Sequence, residues 1–383
     1  MGLRIAIVGA KGLPSRSGVE RVVEPLVQRL AKRHQVTVYC DARYTPADYV
    51  RNDLSIVRVG TVAGKHAQAT SLFVHSALKA LSADKHDVVH LHSVEAAVVA
   101  PVLTLRYPIV ATAHGSPLRS TRAKWGPTAR ALMGATERPF VHLPEVVTSV
   151  SEVDARYFQS RYGREVTYIP NGMDPPRPVA ASDKSAVCAR LGVTPNDFAL
   201  FVAGRVDPTK GCHVFLDALG RMASPPTALV VGDLGQVPEY ASQLRAASAR
   251  VDVSFVEPIK ERAELMGLIS ACGVFVFPSL TEGMSMMLLE AASCGVPLVC
   301  SDIPENKAVL GGRTTYFRSG DAADLAGRLA WALEHGDEAV MLSTAASEWV
   351  LSAYSWDRIV PMYEDAYARA IARRKARRHA RRL

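Results

Sequence analysis

The sequence predicts an α/β protein of two parallel-sheet domains, and three observations carry that reading. Short runs rich in Val, Ile and Ala alternate with longer amphipathic stretches, the pattern of parallel strands joined by helical crossovers. The length, 383 residues of which 48% are hydrophobic and 21% charged, suits two domains, at most three, each able to bury a core. A proline cluster at Pro175, Pro176 and Pro178 divides two such series of similar length.

In the first series Arg4 to Val8 reads as a buried strand ending at Gly9. Glu20 to Arg33 follows, with Val22, Val23, Leu26, Val27 and Leu30 at helical spacing. Val36 to Cys40, Ser55 to Val59, Asp87 to His92, Ile109 to Ala113 and Val146 to Ser149 continue as strands. Asn171-Gly172 is a turn signal, and the prolines beyond it stop regular structure, which sets a linker there. Phe198 to Ala203, Thr227 to Val231, Val251 to Val256, Gly273 to Pro278 and Leu298 to Cys300 are the strands of the second series. Ser355 to Ile371 is a last amphipathic helix that grades into a basic tail. The expected domains are 1–174 and 175–354, facing a cleft, with 355–383 as terminal helix and tail.

Composition removes several function classes. No apolar run approaches the roughly 20 residues that cross a bilayer, and Met1 to Ala10 enters a strand without the parts of a signal peptide. The chain therefore reads as cytoplasmic. Its formal charge is +8, but Arg369 to Leu383 holds eight Lys or Arg and no acid. The first 368 residues are balanced, 37 basic against 37 acidic, which disfavours a nucleic-acid-binding body. The six cysteines form no C-x-x-C pair and read as reduced, buried thiols rather than zinc ligands or disulfides.

Four places carry chemistry. Gly9-Ala-Lys-Gly12-Leu-Pro-Ser-Arg-Ser-Gly18 joins the first strand to its helix, where glycines let backbone N–H groups approach an anion. It departs from G-x-G-x-x-G, so a tight structural turn competes with that reading. A dinucleotide cofactor held through Asp41 is a further alternative. Gly204-Arg205-Val-Asp-Pro-Thr-Lys210-Gly211 ends the second domain's first strand, and its two cations can hold a diphosphate by charge-assisted bonds; a solvated surface pair is the alternative. Glu282 and Glu290 are eight apart, Glu282 in a loop beside Gly283 and Glu290 in an apolar helix. A buried carboxylate there needs a partner, and sugar hydroxyls are suitable donors. His114 leaves a strand at its carboxyl end, where α/β sheets bind ligands. His90 and His92 share an earlier strand, one expected buried and one at its end, with no role assigned.

The ordered set Ser17-Gly18-Val19-Glu20, His114-Gly115, Ile169-Pro-Asn-Gly-Met-Asp174, Gly204-Arg205 with Lys210-Gly211, and Glu282 with Glu290 resembles the family 4 (GT4) retaining glycosyltransferases. The resemblance runs from residue 4 to about 365. Arg122-Ala-Lys124-Trp125-Gly126, with Glu137 beyond, looks like the rhamnosyltransferase-like branch of bacterial surface-polysaccharide enzymes, although that branch often has Gly-Gly where this chain has Gly18-Val19. The resemblance implies the GT-B fold: two Rossmann-like domains, the first on the acceptor side and the second binding the nucleotide sugar, with a C-terminal helix crossing back to the first. It implies transfer of a sugar from a nucleotide-diphosphate donor to a glycan, lipid-linked or small-molecule acceptor, with no cofactor beyond that co-substrate. Arg205 and Lys210 would grip the diphosphate and Glu290 the ribose. Glu282 and the segment Gly283, Met284, Ser285 and Met286 would hold the transferred sugar. His114 would contact that sugar near the reacting carbon, while Gly12 and Gly18 would let the first loop close over the phosphates. Arg119, Arg122 and Lys124 are acceptor-side candidates. No D-x-D occurs, so no metal is expected and the two cations supply the counter-charge. The tail is expected to dock the enzyme on an anionic membrane, against the alternatives of a solvated terminus or RNA contact. A nicotinamide oxidoreductase and a nucleic-acid-binding protein acting through the tail are the rival functions.

Overall fold

The computed structural model describes residues 2–15, 18–83, 86–120 and 134–380. They form two compact units, Met1–Gly172 with Trp356–Leu383, and Met173–Ser355.

The first unit holds β1 (Arg4–Val8), β2 (Gln35–Asp41), β3 (Ser55–Val59), β4 (Val88–His92), β5 (Ile109–Ala113), β6 (Val146–Ser149) and β7 (Thr167–Tyr168). They pair parallel throughout in the order β3-β2-β1-β4-β5-β6-β7. The order starts at the centre and reverses between β1 and β4, the doubly wound arrangement. β4 and β5 are buried along their whole length, which is why they read as apolar runs without alternation. Helix α1 (Glu20–Leu30) buries Val22, Val23, Leu26, Val27 and Leu30, the stripe its spacing predicts.

The second unit holds β8 (Phe198–Arg205), β9 (Thr227–Asp233), β10 (Val253–Val256), β11 (Val274–Phe277), β12 (Leu298–Ser301) and β13 (Thr315–Phe317). These are also parallel, in the order β10-β9-β8-β11-β12-β13. β7 and β13, of two and three residues, are too short to show a period and escape the sequence reading.

Two features differ from expectation. Gly172 does not serve a left-handed turn; a Cβ there would lie 2.4 Å from the Trp356 indole, so the glycine makes room for that ring. Next to it Met173 N–H donates to Tyr354 C=O at 2.8 Å, so the chain's exit from the first unit runs beside its return. The last helix does not fade near residue 371 but continues from Trp356 to Ala380. Arg, Lys and Ala are strong helix formers, and cations in the last turns suit the dipole. Tyr363, Ala366, Tyr367 and Ala370 of this helix are buried against the first unit.

Candidate active site

In the second unit the chemistry gathers at the carboxyl ends of β8 and β11. Arg205 closes β8 after a register shift against β9, and its guanidinium meets Asp207 Oδ2 at 2.8 Å. The other oxygen of Asp207 accepts from Thr209 N–H at 2.9 Å and caps a single 3-10 turn, Pro208–Lys210. Lys210 therefore ends this turn, and the following helix begins only at Cys212.

Gly211 has φ +70°, and a Cβ there would lie 2.0 Å from the Pro278 carbonyl oxygen. Only glycine lets the β8 loop press against the β11 loop so closely. Leu280 N–H donates to Thr209 C=O at 2.8 Å and completes the joint. The joint brings Lys210 Nζ to 2.7 Å from Glu282 Oε1, which also accepts from Ser279 Oγ at 2.8 Å. At Gly204 a Cβ would meet nothing within 4 Å, so no group among the described residues explains this glycine.

Glu282 lies in a loop, as expected, followed by a bend at Gly283 and Met284. Ser285 caps helix α3 (Met286–Ser293) by accepting from Leu288 N–H. The N–H groups of Met286 and Met287, in the first turn, have no carbonyl within the helix to bond, and the dipole there favours negative charge. Glu290 on α3 is 1% exposed. Its Oε1 is met by Arg262 Nη1, from the first residue of helix α2 (Arg262–Ile269). A protein cation thus stands where the sequence reading placed sugar hydroxyls. Arg262 was missed because it stands 28 residues from Glu290 and no local pattern joins the two.

In the first unit His114 follows β5 and is half-buried. Its Nε2 lies 3.0 Å from Nδ1 of His92. His92 closes β4, as expected of one of the pair, and both His90 and His92 are buried. Alternate residues of a strand share a face, which brings these two rings together, tilted by 38°, with centroids 4.0 Å apart. His90 Nδ1 reaches the Tyr367 hydroxyl at 2.9 Å and its Nε2 reaches Thr112 Oγ1 at 2.6 Å. Burial holds all three imidazoles neutral, pushing His114 down to about 4 and His90 to about 3, with His92 also well below its usual range.

The first loop is held from inside the protein. Lys11 N–H donates to Glu20 Oε1 at 2.7 Å, Leu13 N–H to Thr45 Oγ1 at 3.1 Å and Ser15 N–H to Glu24 Oε2 at 2.7 Å. Those N–H groups are engaged by protein acceptors, and two carboxylates face the loop. Gly12 is accounted for by packing, since a Cβ would lie 2.7 Å from Tyr44 Cβ. Gly18 takes φ +65° at the start of α1. Ser17 lies outside the described residues.

Asp41 does not present a carboxylate to a cofactor ribose. It is fully buried and accepts from Arg43 N–H at 2.9 Å, Thr61 Oγ1 at 2.7 Å and Gln68 Nε2 at 2.9 Å. Burial alone raises its pKa, but those donors outweigh it and hold the acid below its usual range. Arg119 is paired with Asp154 and lies over the Tyr157 ring. Glu137 is fully buried and accepts from Ser116 Oγ at 2.7 Å and Tyr162 OH at 2.9 Å, a structural use. Arg122, Lys124, Trp125 and Gly126 lie outside the described residues.

The basic tail is partly neutralised by the first unit. Arg373 meets Glu165 at 3.1 Å, and Arg374 and Arg377 lie 3.5 and 3.7 Å from Glu145. Arg4, Lys32, Arg33, Arg106, Lys375 and Arg378 line an open concavity of about 1200 Å³ at the amino ends of the first unit's strands, the opposite pole from His114; there Arg4 is paired with Asp87 at 3.1 Å and Arg33 with Glu364 at 3.0 Å. Arg381 and Arg382 lie outside the described residues. No described helix is long and apolar enough to cross a membrane.

Two family models match the chain in succession, Glycosyltransferase Family 4 over residues 16–177 and Glycosyl transferases group 1 over residues 197–335. The alpha-maltose-1-phosphate synthase of Mycolicibacterium smegmatis is 26% identical over 96% of this chain and 99% of its own. The UDP-Gal:alpha-D-GlcNAc-diphosphoundecaprenol alpha-1,3-galactosyltransferase of Escherichia coli is 25% identical over 80% of this chain and 82% of its own. The crystal structure of Anabaena Alr3699/HepE in complex with UDP-glucose superposes with a TM-score of 0.79 at 18% identity, covering 96% of this chain and 99% of that one.

Proposed function

The chain belongs to the family 4 glycosyltransferases and has the GT-B fold; from that premise we propose what its residues do. It is a hexosyltransferase-type enzyme. It transfers a sugar from a nucleotide-diphosphate donor to a glycan, lipid-linked or small-molecule acceptor, with the anomeric configuration retained. The observation that carries this reading is the Lys210–Glu282 joint at the carboxyl ends of β8 and β11, with Arg205 and Glu290 on the flanking elements.

Arg205 and Lys210 grip the diphosphate, each exchanging part of its carboxylate partner's charge for phosphate oxygens. The first turn of α3 adds N–H donors from Met286 and Met287. Glu282, with Gly283 to Met286, holds the transferred sugar, and Glu290 takes the ribose hydroxyls beside Arg262. His114 contacts the sugar near the reacting carbon, and the loop through Gly12 and Gly18 covers the phosphates. Arg119, Arg122 and Lys124 serve the acceptor. The bond from the anomeric carbon to the phosphate oxygen breaks, the acceptor oxygen bonds to that carbon from the same face, and its proton passes to the departing phosphate. The protein's work is charge stabilisation and positioning. Because two cations neutralise the leaving group, activity is expected to persist in excess chelator; loss restored only by magnesium or manganese overturns that part.

The E. coli relative is named for UDP-Gal and the Anabaena structure is bound to UDP-glucose, which makes a uridine diphosphate sugar the first donor to test. The E. coli relative's diphosphoundecaprenol acceptor supports a lipid-linked glycan and a place in surface-polysaccharide synthesis, where a rhamnosyl donor also belongs in the panel. Such an acceptor requires work at a membrane surface. The basic pole around Lys375 and Arg378 supports peripheral docking there, at about 1 kcal/mol per cation near anionic lipid, reduced by salt. The deciding experiment is a thermal-shift panel of sugar nucleotides, followed by transfer with the product anomer read by NMR. A shift with nicotinamide cofactors and none with any sugar nucleotide overturns the reading.

A further inference from the structure

His92 is fully buried, and its Nε2 has no hydrogen-bond partner among the described residues. Its Nδ1 lies 3.0 Å from His114 Nε2. A neutral imidazole carries one ring hydrogen, and burial keeps both rings neutral. Two arrangements satisfy the short contact. In one, His92 carries its hydrogen on Nδ1 and donates to a bare His114 Nε2. In the other, His114 donates from Nε2, and His92 must carry its hydrogen on Nε2, buried with no acceptor.

Buried N–H groups are very rarely left without an acceptor, while an unfilled acceptor lone pair is better tolerated. His114 does not alter the balance, because the residue is only partly buried and its outer nitrogen is not among the buried polar atoms left without a partner, so water can satisfy it in either arrangement. The decision therefore falls at His92 Nε2.

We propose that His92 is a positioning residue that fixes the tautomer of His114: His92 donates from Nδ1, so His114 accepts at Nε2 and presents Nδ1–H outward. His114 then offers a neutral hydrogen-bond donor. Its inner lone pair is occupied by His92 and its outer nitrogen already bears hydrogen, so it cannot accept the acceptor's proton. That leaves the departing phosphate as the base and assigns His114 to orienting a sugar oxygen. Thr112 extends the same order inward. Thr148 donates to Ala111 C=O and so accepts from Thr112, which in turn accepts from His90 Nε2. His90 Nδ1 is then the acceptor for the Tyr367 hydroxyl.

The kinetic arm of the test rests on His114 touching substrate; the spectroscopic arm does not. In the full chain labelled with 15N-histidine, the His114 signals, assigned by their loss in His114→Gln, are expected to show a protonated Nδ1 and a bare Nε2 without any ligand. His92→Leu removes the donor and is expected to move His114 toward the Nε2–H form and lower kcat/KM about tenfold, the scale of one hydrogen bond. His92→Asn, whose amide nitrogen can occupy the place of Nδ1, is expected to restore the Nδ1–H form and bring turnover back within about threefold. An Nε2–H His114 in the parent overturns the proposal, even if His92→Leu does not fold. So does a His92→Leu protein with unchanged tautomer and turnover. A protein with the expected tautomer but no transfer from any sugar nucleotide supports this inference and counts against the functional reading alone.

Discussion

Lys210 Nζ lies 2.7 Å from Glu282 Oε1, although the two residues belong to crossovers 72 positions apart in the chain. The contact makes one assembly of what the sequence displays as two motifs, a basic loop and a spaced glutamate pair. In it Glu282 orders Lys210, and any bound phosphate has to share the lysine with a carboxylate.

That sharing separates a substrate role from a purely structural one. Lys210→Ala and Arg205→Ala are each expected to lower kcat/KM about tenfold or more, the loss of one charge-assisted bond at roughly 1.5–3 kcal/mol. Glu282→Ala is expected mainly to lower turnover. If Lys210 served only to neutralise Glu282, the double variant would recover toward the parent; steady-state kinetics of the four proteins should show no recovery.

The two glycines flanking the basic loop are expected to respond differently. Gly211→Ala sets a Cβ against the Pro278 carbonyl at a positive φ and should lose stability by more than about 1 kcal/mol in denaturant unfolding. Gly204→Ala has open space and should keep parental stability, yet weaken donor binding if the diphosphate passes over this backbone. Unchanged donor affinity in Gly204→Ala would remove the ligand from that strand end.

Arg262 and Glu290 give a third test. Glu290→Gln is expected to fold and to weaken donor binding about tenfold through the ribose, measured by calorimetry. Arg262→Ala removes a cation from a buried carboxylate, but the arginine is half-exposed and solvent screens the loss, so a decrease in Tm of about 2–4 °C is expected. Parental donor affinity in Glu290→Gln would return the pair to a structural role.

The histidine cluster sets a pH dependence of stability. His90 and His114 titrate near 3 and 4 in the folded chain, against about 6.5 when unfolded. The unfolded state thus binds more protons below about pH 6.5, so their stabilisation is complete above that pH and is lost as pH falls. Each buried histidine contributes a slope of about 1.4 kcal/mol per pH unit in that window. Denaturant unfolding between about pH 7 and 5, above most carboxylate titrations, should show it, with a shallower slope in His92→Leu.

The tail is best tested by charge reversal, because truncation would also remove Arg373, Arg374 and Arg377 from Glu165 and Glu145. Lys375→Glu with Arg378→Glu alters two exposed cations of the basic pole. It is expected to reduce sedimentation with anionic vesicles at moderate salt while sparing transfer to a soluble acceptor. Vesicle binding equal to that of the parent would count against membrane docking through this surface.

The two parallel α/β series, the apolar stripe of α1, the central strands and the loops that carry Arg205, Lys210, Glu282 and His114 are all legible in the amino-acid order. Those are local properties: a period of 3.6, a continuous buried run, a glycine beside a cation at a strand end. What the tertiary structure decided is which partner each polar group meets. Arg262 reaches Glu290 only because the fold brings the start of α2 within reach of α3. Gly172 yields to Trp356, from which the whole second unit separates it in sequence, and Asp41 is saturated by residues up to 27 positions away. Arg373, Arg374 and Arg377 of the basic tail meet Glu165 and Glu145, more than 200 positions away. A chain's periodicity records burial, which each residue experiences alone. Charge pairing and the placement of a ring hydrogen depend on two residues whose separation only the folded chain fixes.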